Sequence, residues 1–140
     1  MGDRANVFVP TQNMPEPEGV YLYGHWSGYD LPLTVQAALR RQERWDDDSY
    51  LARIIFCGMV KGQEDAATGF GISTRRPDNE YPIIVVDPDT RRVSFCPEPK
   101  DWKDHPDLTT EGVPSWTFSE YIRLDPEELR AAWLTAGEGF

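Results

Sequence analysis

The chain is predicted to fold as α+β, a single domain with a mainly antiparallel sheet and helices packed on one face. Three observations predict it. The 140 residues are enough for one hydrophobic core and close to the commonest domain size. The order of segments is strand, two helices, a run of strands, then helix. A parallel doubly wound sheet would need strand and helix to alternate regularly, and here they do not.

Residues 1–19 read as a Pro-rich N-terminal arm, leaving residues 20–140 as the α+β domain. Pro10, Pro15 and Pro17 block regular pairing, so at most Val7, Phe8 and Val9 form an edge strand. Residues 20–23 (Val-Tyr-Leu-Tyr) are β-formers bounded by Gly19 and Gly24, and a loop follows through Asp30. A first helix is expected over residues 31–44, with Pro32 in its first turn and Val35, Ala38, Leu39 and Gln42 on one face. The second helix is the clearest element. Asp46, Asp47 and Asp48 favour the positive end of its dipole. Leu51, Ile54, Ile55, Gly58 and Met59 make its apolar stripe, and Gly62 stops it. Its stretch over residues 52–60 is expected to be the most buried helix of the fold.

The middle of the chain turns to β structure. Residues 70–74 form a short strand. Residues 83–86 and 91–95 flank Asp87-Pro-Asp-Thr90, a tight-turn sequence with Pro88 at its second position, and so predict a hairpin. Residues 83–86 are apolar throughout, which predicts a central strand covered on both faces. A polar loop is expected from Cys96 to Ser115. A final helical region carries Phe118, Tyr121 and Ile122, then restarts at Asp125-Pro-Glu-Glu128 with cap, first-turn Pro and capping-box acid in place. Leu129, Ala132 and Trp133 face inward.

A net charge of -10 repels phosphates at long range, so direct binding to nucleic acid or an anionic membrane is disfavoured. No leader-like or membrane-spanning stretch is evident, which predicts a cytoplasmic protein with Cys57 and Cys96 reduced and mostly buried. Phosphate-loop, nucleophile-elbow and zinc-site patterns are all lacking. No cofactor or metal is therefore expected, and His105, in a polar Asp104-His-Pro-Asp107 loop, reads as solvated.

Three clusters remain as ligand-binding candidates. His25 and Trp26 stand between Gly24 and Gly28, a titratable ring beside a large aromatic at a strand end. A loop folded back over the core would use the same residues. Arg44, Trp45 and Tyr50 occupy the junction of the two helices, where dipole complementarity accounts for the charges better than for the aromatics. Gly69, Phe70 and Gly71 permit close approach of a backbone or ligand, and Arg75 with Arg76 could fork an anion. A bulged strand and a solvated turn are the plain alternative. Guanidinium groups among Trp and Tyr suit a planar, phosphorylated ligand. The expectation is one pocket joining all three clusters around a small anionic, nucleotide-like ligand, with no reaction catalysed. Two alternatives stand beside it. One is an acidic inhibitor that mimics DNA against a basic host protein. The other is a small hydrolase with His25 as base, oriented by one of Asp46 to Asp48. Assembly into a homo-oligomer is left open.

Tyr21-Leu-Tyr-Gly-His-Trp-Ser-Gly28, Arg44-Trp-Asp-Asp-Asp-Ser-Tyr-Leu-Ala-Arg-Ile-Ile55, Thr68-Gly-Phe-Gly-Ile-Ser-Thr74 and Asp78-Asn-Glu-Tyr-Pro-Ile-Ile-Val-Val-Asp87 together resemble a family of small proteins from bacteria and their phages. The resemblance brings no catalytic residues with it. It implies a context in which small phage proteins bind and disable something of the host, including nucleotide-derived immune signals.

Overall fold

The computed structural model describes residues 2–15, 18–97 and 110–137. They form one α+β domain around a six-stranded mixed sheet, in the order β3-β2-β1-β4-β5-β6. The strands are β1 (Ala5–Pro10), β2 (Gly19–Gly24), β3 (Phe70–Ser73), β4 (Ile83–Asp87), β5 (Arg92–Cys96) and β6 (Ser115–Thr117). Every neighbouring pair is antiparallel except β1 with β4. The helices are α1 (Leu31–Leu39), α2 (Asp48–Val60), α3 (Phe118–Tyr121) and α4 (Pro126–Gly137).

The sharpest departure from expectation is β1. Read as part of an outlying arm, it is instead an inner strand, flanked by β2 and β4 and buried from Ala5 to Val9. Residues 5–10 therefore belong to the domain's sheet. Pro10 is the last residue of the strand and Pro15 lies beyond it, where a proline is tolerated. The chain turns at Gln12 and Asn13 and pairs back with β2, Thr11 donating to the Glu18 carbonyl at 2.7 Å. Strand β4 is central and buried throughout its apolar residues, with Ile83, Ile84 and Val86 at 0% exposure. β6 was not expected: it begins at Ser115, the last residue of the expected loop. It pairs with β5 and runs straight into α3.

The helix α1 is shorter than its apolar pattern allowed. It stops at Leu39, and Gln42 and Arg44 then adopt left-handed φ of 54° and 57°. Two contacts explain the stop. The Trp45 indole N–H donates to the Leu39 carbonyl at 3.1 Å, satisfying an end-group of the helix. Gln42, placed on the buried face by periodicity, is exposed, and Gln36 is buried in its stead. Its amide donates to the carbonyls of Tyr121 and Leu124, locking α1 to the end of α3.

The start of α2 is as expected. Asp47 caps it by accepting from the Tyr50 N–H at 3.0 Å. Leu51, Ala52, Ile54 and Ile55 are buried, but burial fades beyond them: Gly58 is exposed and Met59 half-buried. Cys57 is exposed too, contrary to the expectation of a buried thiol, whereas Cys96 is buried and both are free. The α3 capping box joins Thr117 and Glu120. Asp125 accepts from the Glu127 N–H at 2.8 Å at the start of α4.

The helices pack on one face, over Val7, Leu22, Ile84, Val86, Val93 and Phe95. Trp133 is wholly buried beneath Tyr81, the rings stacked at 5.1 Å and 10°. On the opposite face Phe8, Tyr21, Ile83, Val85 and Cys96 form a smaller cluster, with Val113 against it.

Candidate functional site

The predicted residues separate into two groups at opposite ends of α2. His25 continues β2, and its N–H donates to the Gly69 carbonyl at 2.8 Å, extending the β2–β3 ladder by one pair. Gly24, just before it, lies against Met59 near the C-terminus of α2. Gly69 has φ of +99°, and a Cβ there would stand 3.2 Å from the Trp26 indole nitrogen. His25, Trp26, Gly69, Phe70 and Gly71 thus come together, as close packing of two chain ends. The His25 ring meets Trp26 edge-on at 4.3 Å, and its Nδ1 is 2.8 Å from the Tyr23 hydroxyl. Burial raises the Tyr23 hydroxyl above its ordinary pKa. Nearby, Glu80 is held below the usual carboxylate range by the Arg4 backbone N–H, 2.6 Å away. A void beside Gly24 and Gly28 measures about 20 Å³. That volume holds a single water rather than a ligand.

Arg44, Trp45 and Tyr50 stand at the other end, around the N-terminus of α2. That helix has 13 residues, so its ends are roughly 18 Å apart at 1.5 Å rise per residue. The single pocket expected of all three clusters is not formed. Trp45 belongs to the core, meeting Phe118 edge-on at 5.5 Å. Arg44 lays its guanidinium 4.8 Å above the exposed Tyr50 ring. Arg76 reaches instead over Tyr21 on the helix-free face, its Nε 3.3 Å from the Tyr21 hydroxyl. Arg75 is exposed on the turn after β3. The same separation removes the hydrolase arrangement. His25 is partnered by Tyr23, and Asp47 and Asp48 are held at the far end of α2 by its cap and by Gln12.

A ligand-sized groove of about 420 Å³ lies between the first half of α2 and strands β1, β2 and β3. Val9, Val20, Leu22, Ala52, Phe56 and Ile72 make its floor and walls, with Thr11, Asp48, Ser49 and Arg53 at the rim. It exists because the helices do not extend over the sheet's margin. β3 projects past α2 and leaves Ile72 59% exposed. The rim is fixed by Gln12, whose N–H donates to the Asp48 carboxylate at 2.8 Å while its side-chain oxygen accepts from the Asp48 N–H at 3.0 Å. Arg53 is exposed, its Nη1 4.0 Å from the Cys57 sulfur. Tyr50, three residues before Arg53, occupies the neighbouring helical position, so the Arg44–Tyr50 stack flanks this rim. A larger hollow of about 700 Å³ between α1 and α2 is shallower and opens onto solvent.

Of the ten predicted site residues, Arg44 and Tyr50 stand beside the groove, and Phe70 and Gly71 share β3 with Ile72 in its wall. Arg53, Phe56 and Ile72 were not singled out from sequence. The available signal was the width of the α2 stripe, since Ala52 and Phe56 extend it beyond what facing β1 and β4 requires. Among the described residues no three potential metal ligands converge. No protein-family model, curated protein or solved structure matches the chain.

Proposed function

We propose that the protein is a binding module for a small, partly apolar ligand with an anionic group, nucleotide-like in its chemistry, seated in the groove between α2 and β1–β3. The observation that carries this reading is the groove's makeup. Its volume of about 420 Å³ falls in the range of small-molecule sites, which pair an apolar lining with a few polar groups. Phe56 and Ile72 offer a flat apolar contact for a ring. Arg53 at the rim offers a cation to an anionic substituent, and Arg44, stacked on Tyr50, offers a second. Sequestration of a signalling nucleotide is the role that fits such a site without catalytic groups.

Calorimetry against cyclic and linear nucleotides tests it. Phe56→Ala should weaken binding roughly tenfold to hundredfold, the range measured for loss of an aromatic stacking partner. Arg53→Ala should weaken only ligands that carry phosphate. If no nucleotide binds the wild type, the reading is wrong. The net charge of -10 would then favour a second reading, an acidic protein that occupies a basic host partner.

A further inference from the structure

We infer that the free edge of β3 pairs with β3 of a second copy of this chain, antiparallel about Gly71, joining two sheets into one. This goes beyond the ligand reading and shares one residue with it, Ile72, which also lines the groove. The backbone geometry comes first. The His25 N–H donates to Gly69, and the β2–β3 register continues through Tyr23 with Gly71 and Tyr21 with Ser73. Bonded and non-bonded pairs alternate along an antiparallel ladder. Gly69, Gly71 and Ser73 therefore turn their backbone groups toward β2, and Phe70 and Ile72 turn theirs outward. Among the described residues β3 has β2 as its one neighbour in the sheet, so those outward N–H and C=O groups line an edge that no described strand pairs.

A two-fold axis at Gly71 sets Phe70 opposite Ile72 of the second copy, twice over. Each pair exchanges two hydrogen bonds, so all the outward groups of both residues are used within the strand. Phe70 and Ile72 both point to the helix face of the sheet, because they pair with Gly24 and Leu22 there. The exposed Ile72 side chain is then covered by an aromatic ring. Charge agrees with this register. Just beyond the strand ends it directs the segment after Ser73, with the exposed Arg75, toward the segment before Phe70 of the second copy, with its exposed Glu64 and Asp65. Glu64 is held ionised by the Gly62 N–H at 2.9 Å.

The other margin of the sheet behaves differently. β6 has three residues and ends at once in the α3 capping box, two features that blunt an edge. β3, one residue longer, carries no Lys, no Pro and no charge in Phe-Gly-Ile-Ser, so it lacks the side-chain devices that discourage pairing.

Sedimentation equilibrium of the full chain, from low micromolar to near-millimolar concentration, tests the inference. The weight-average mass should rise from the 16.0 kDa of one chain toward twice that value. Ile72→Pro removes an outward N–H that β2 does not use, so it should keep the fold by circular dichroism and remain at one-chain mass throughout. Ile72→Lys should do the same by placing charge in the contact, and it serves where the proline variant does not fold. Hydrogen exchange should show the Phe70 and Ile72 amides slowing as concentration rises, with Gly71 unchanged. A wild type that stays at one-chain mass overturns the inference. So does a dimer that survives in both variants, or an exchange rate at Ile72 that ignores concentration. Ligand binding enters none of these readouts.

Discussion

The two halves of the sheet carry helices on the same face and are finished differently. Under α1, α3 and α4, strands β4 and β5 are closed over. Phe95 is wholly buried, meeting Trp133 at 5.0 Å and Tyr121 at 6.3 Å. The polar tips of both larger rings are satisfied, the Tyr121 hydroxyl by the Pro32 carbonyl at 2.8 Å and the Trp133 indole by the Gly28 carbonyl at 3.1 Å. At the β2–β3 margin α2 is the last helix, and no residue of β3 is fully buried. A domain of this size has apolar surface enough to cover the centre of six strands. The residues left at the margin can stay apolar only where something else covers them or where little is exposed. Stability resides in the first half, and the groove and the free edge in the second.

The largest expected effect lies at the seam between these halves. Ile55 is 0% exposed and sits where α2 crosses the core. Ile55→Ala should cost about 2 to 5 kcal/mol through lost contacts and a cavity. A change below about 0.5 kcal/mol in denaturant melts, the level of surface substitutions, would place α2 outside the cooperative core and dissolve the distinction.

How much of this contrast was legible in the sequence depends on how each element announces itself. α2 and the β4–β5 hairpin were legible because their signals are local. Asp47 caps, Gly62 takes a φ of +85°, and Pro88 sits in a four-residue turn. β1 was not legible because it is buried on both faces. Ala5, Asn6, Val7, Phe8 and Val9 show no alternation to read, and the prolines that follow suggest an edge. Asn6 in particular looks like a surface residue, yet its amide donates to the Asp78 carbonyl at 3.2 Å. Among the site residues, the meeting of His25 and Trp26 with Gly69 followed from two glycine-flanked strand ends. Their distance from Arg44 did not, because it depends on the direction in which α2 runs across the sheet. The groove itself draws on β1, β2, β3 and α2, four elements that only topology brings together.

A smaller effect should separate the halves by pH. Cys96 lies in the covered half, on the helix-free face, and burial pushes its thiol up to about 12. The unfolded thiol titrates near 9.0, so at higher pH the unfolded chain loses its proton first. Stability is therefore full below pH 9 and falls as pH rises toward 12, at about 1.4 kcal/mol per pH unit. Urea melts at pH 8, 9 and 10 should show the onset of this loss, and Cys96→Ala should make it shallower. Unfolded tyrosines titrate near 10, and burial also raises Tyr81 and Tyr121 in the fold, so the thiol's share of the loss is the difference between wild type and Cys96→Ala. Iodoacetamide at pH 8 should meanwhile label the exposed Cys57 and leave Cys96 unmodified. Equal labelling of both would show that the covered half opens freely.

The smallest effect belongs to the margin. Two glycines of β3 and its approach differ in what surrounds them. Gly69 has a left-handed φ and the Trp26 indole at its back, whereas nothing lies within 4 Å of where a Cβ at Gly71 would stand. Its backbone is in the ordinary β region of an extended strand. Alanine at such a position meets no clash and reduces the freedom of the unfolded chain, which favours folding by roughly 0.4 to 1 kcal/mol. Gly71→Ala should accordingly leave the melting curve unchanged or shift it slightly upward. Gly69→Ala should shift it down, since a left-handed backbone costs about 1 to 2 kcal/mol once a Cβ is present. The pair of melts reads the same margin twice, once where it is open and once where Trp26 closes it. A destabilised Gly71→Ala would mean that the helix-free side of β3 is packed after all, and the sheet would then have no open half to compare.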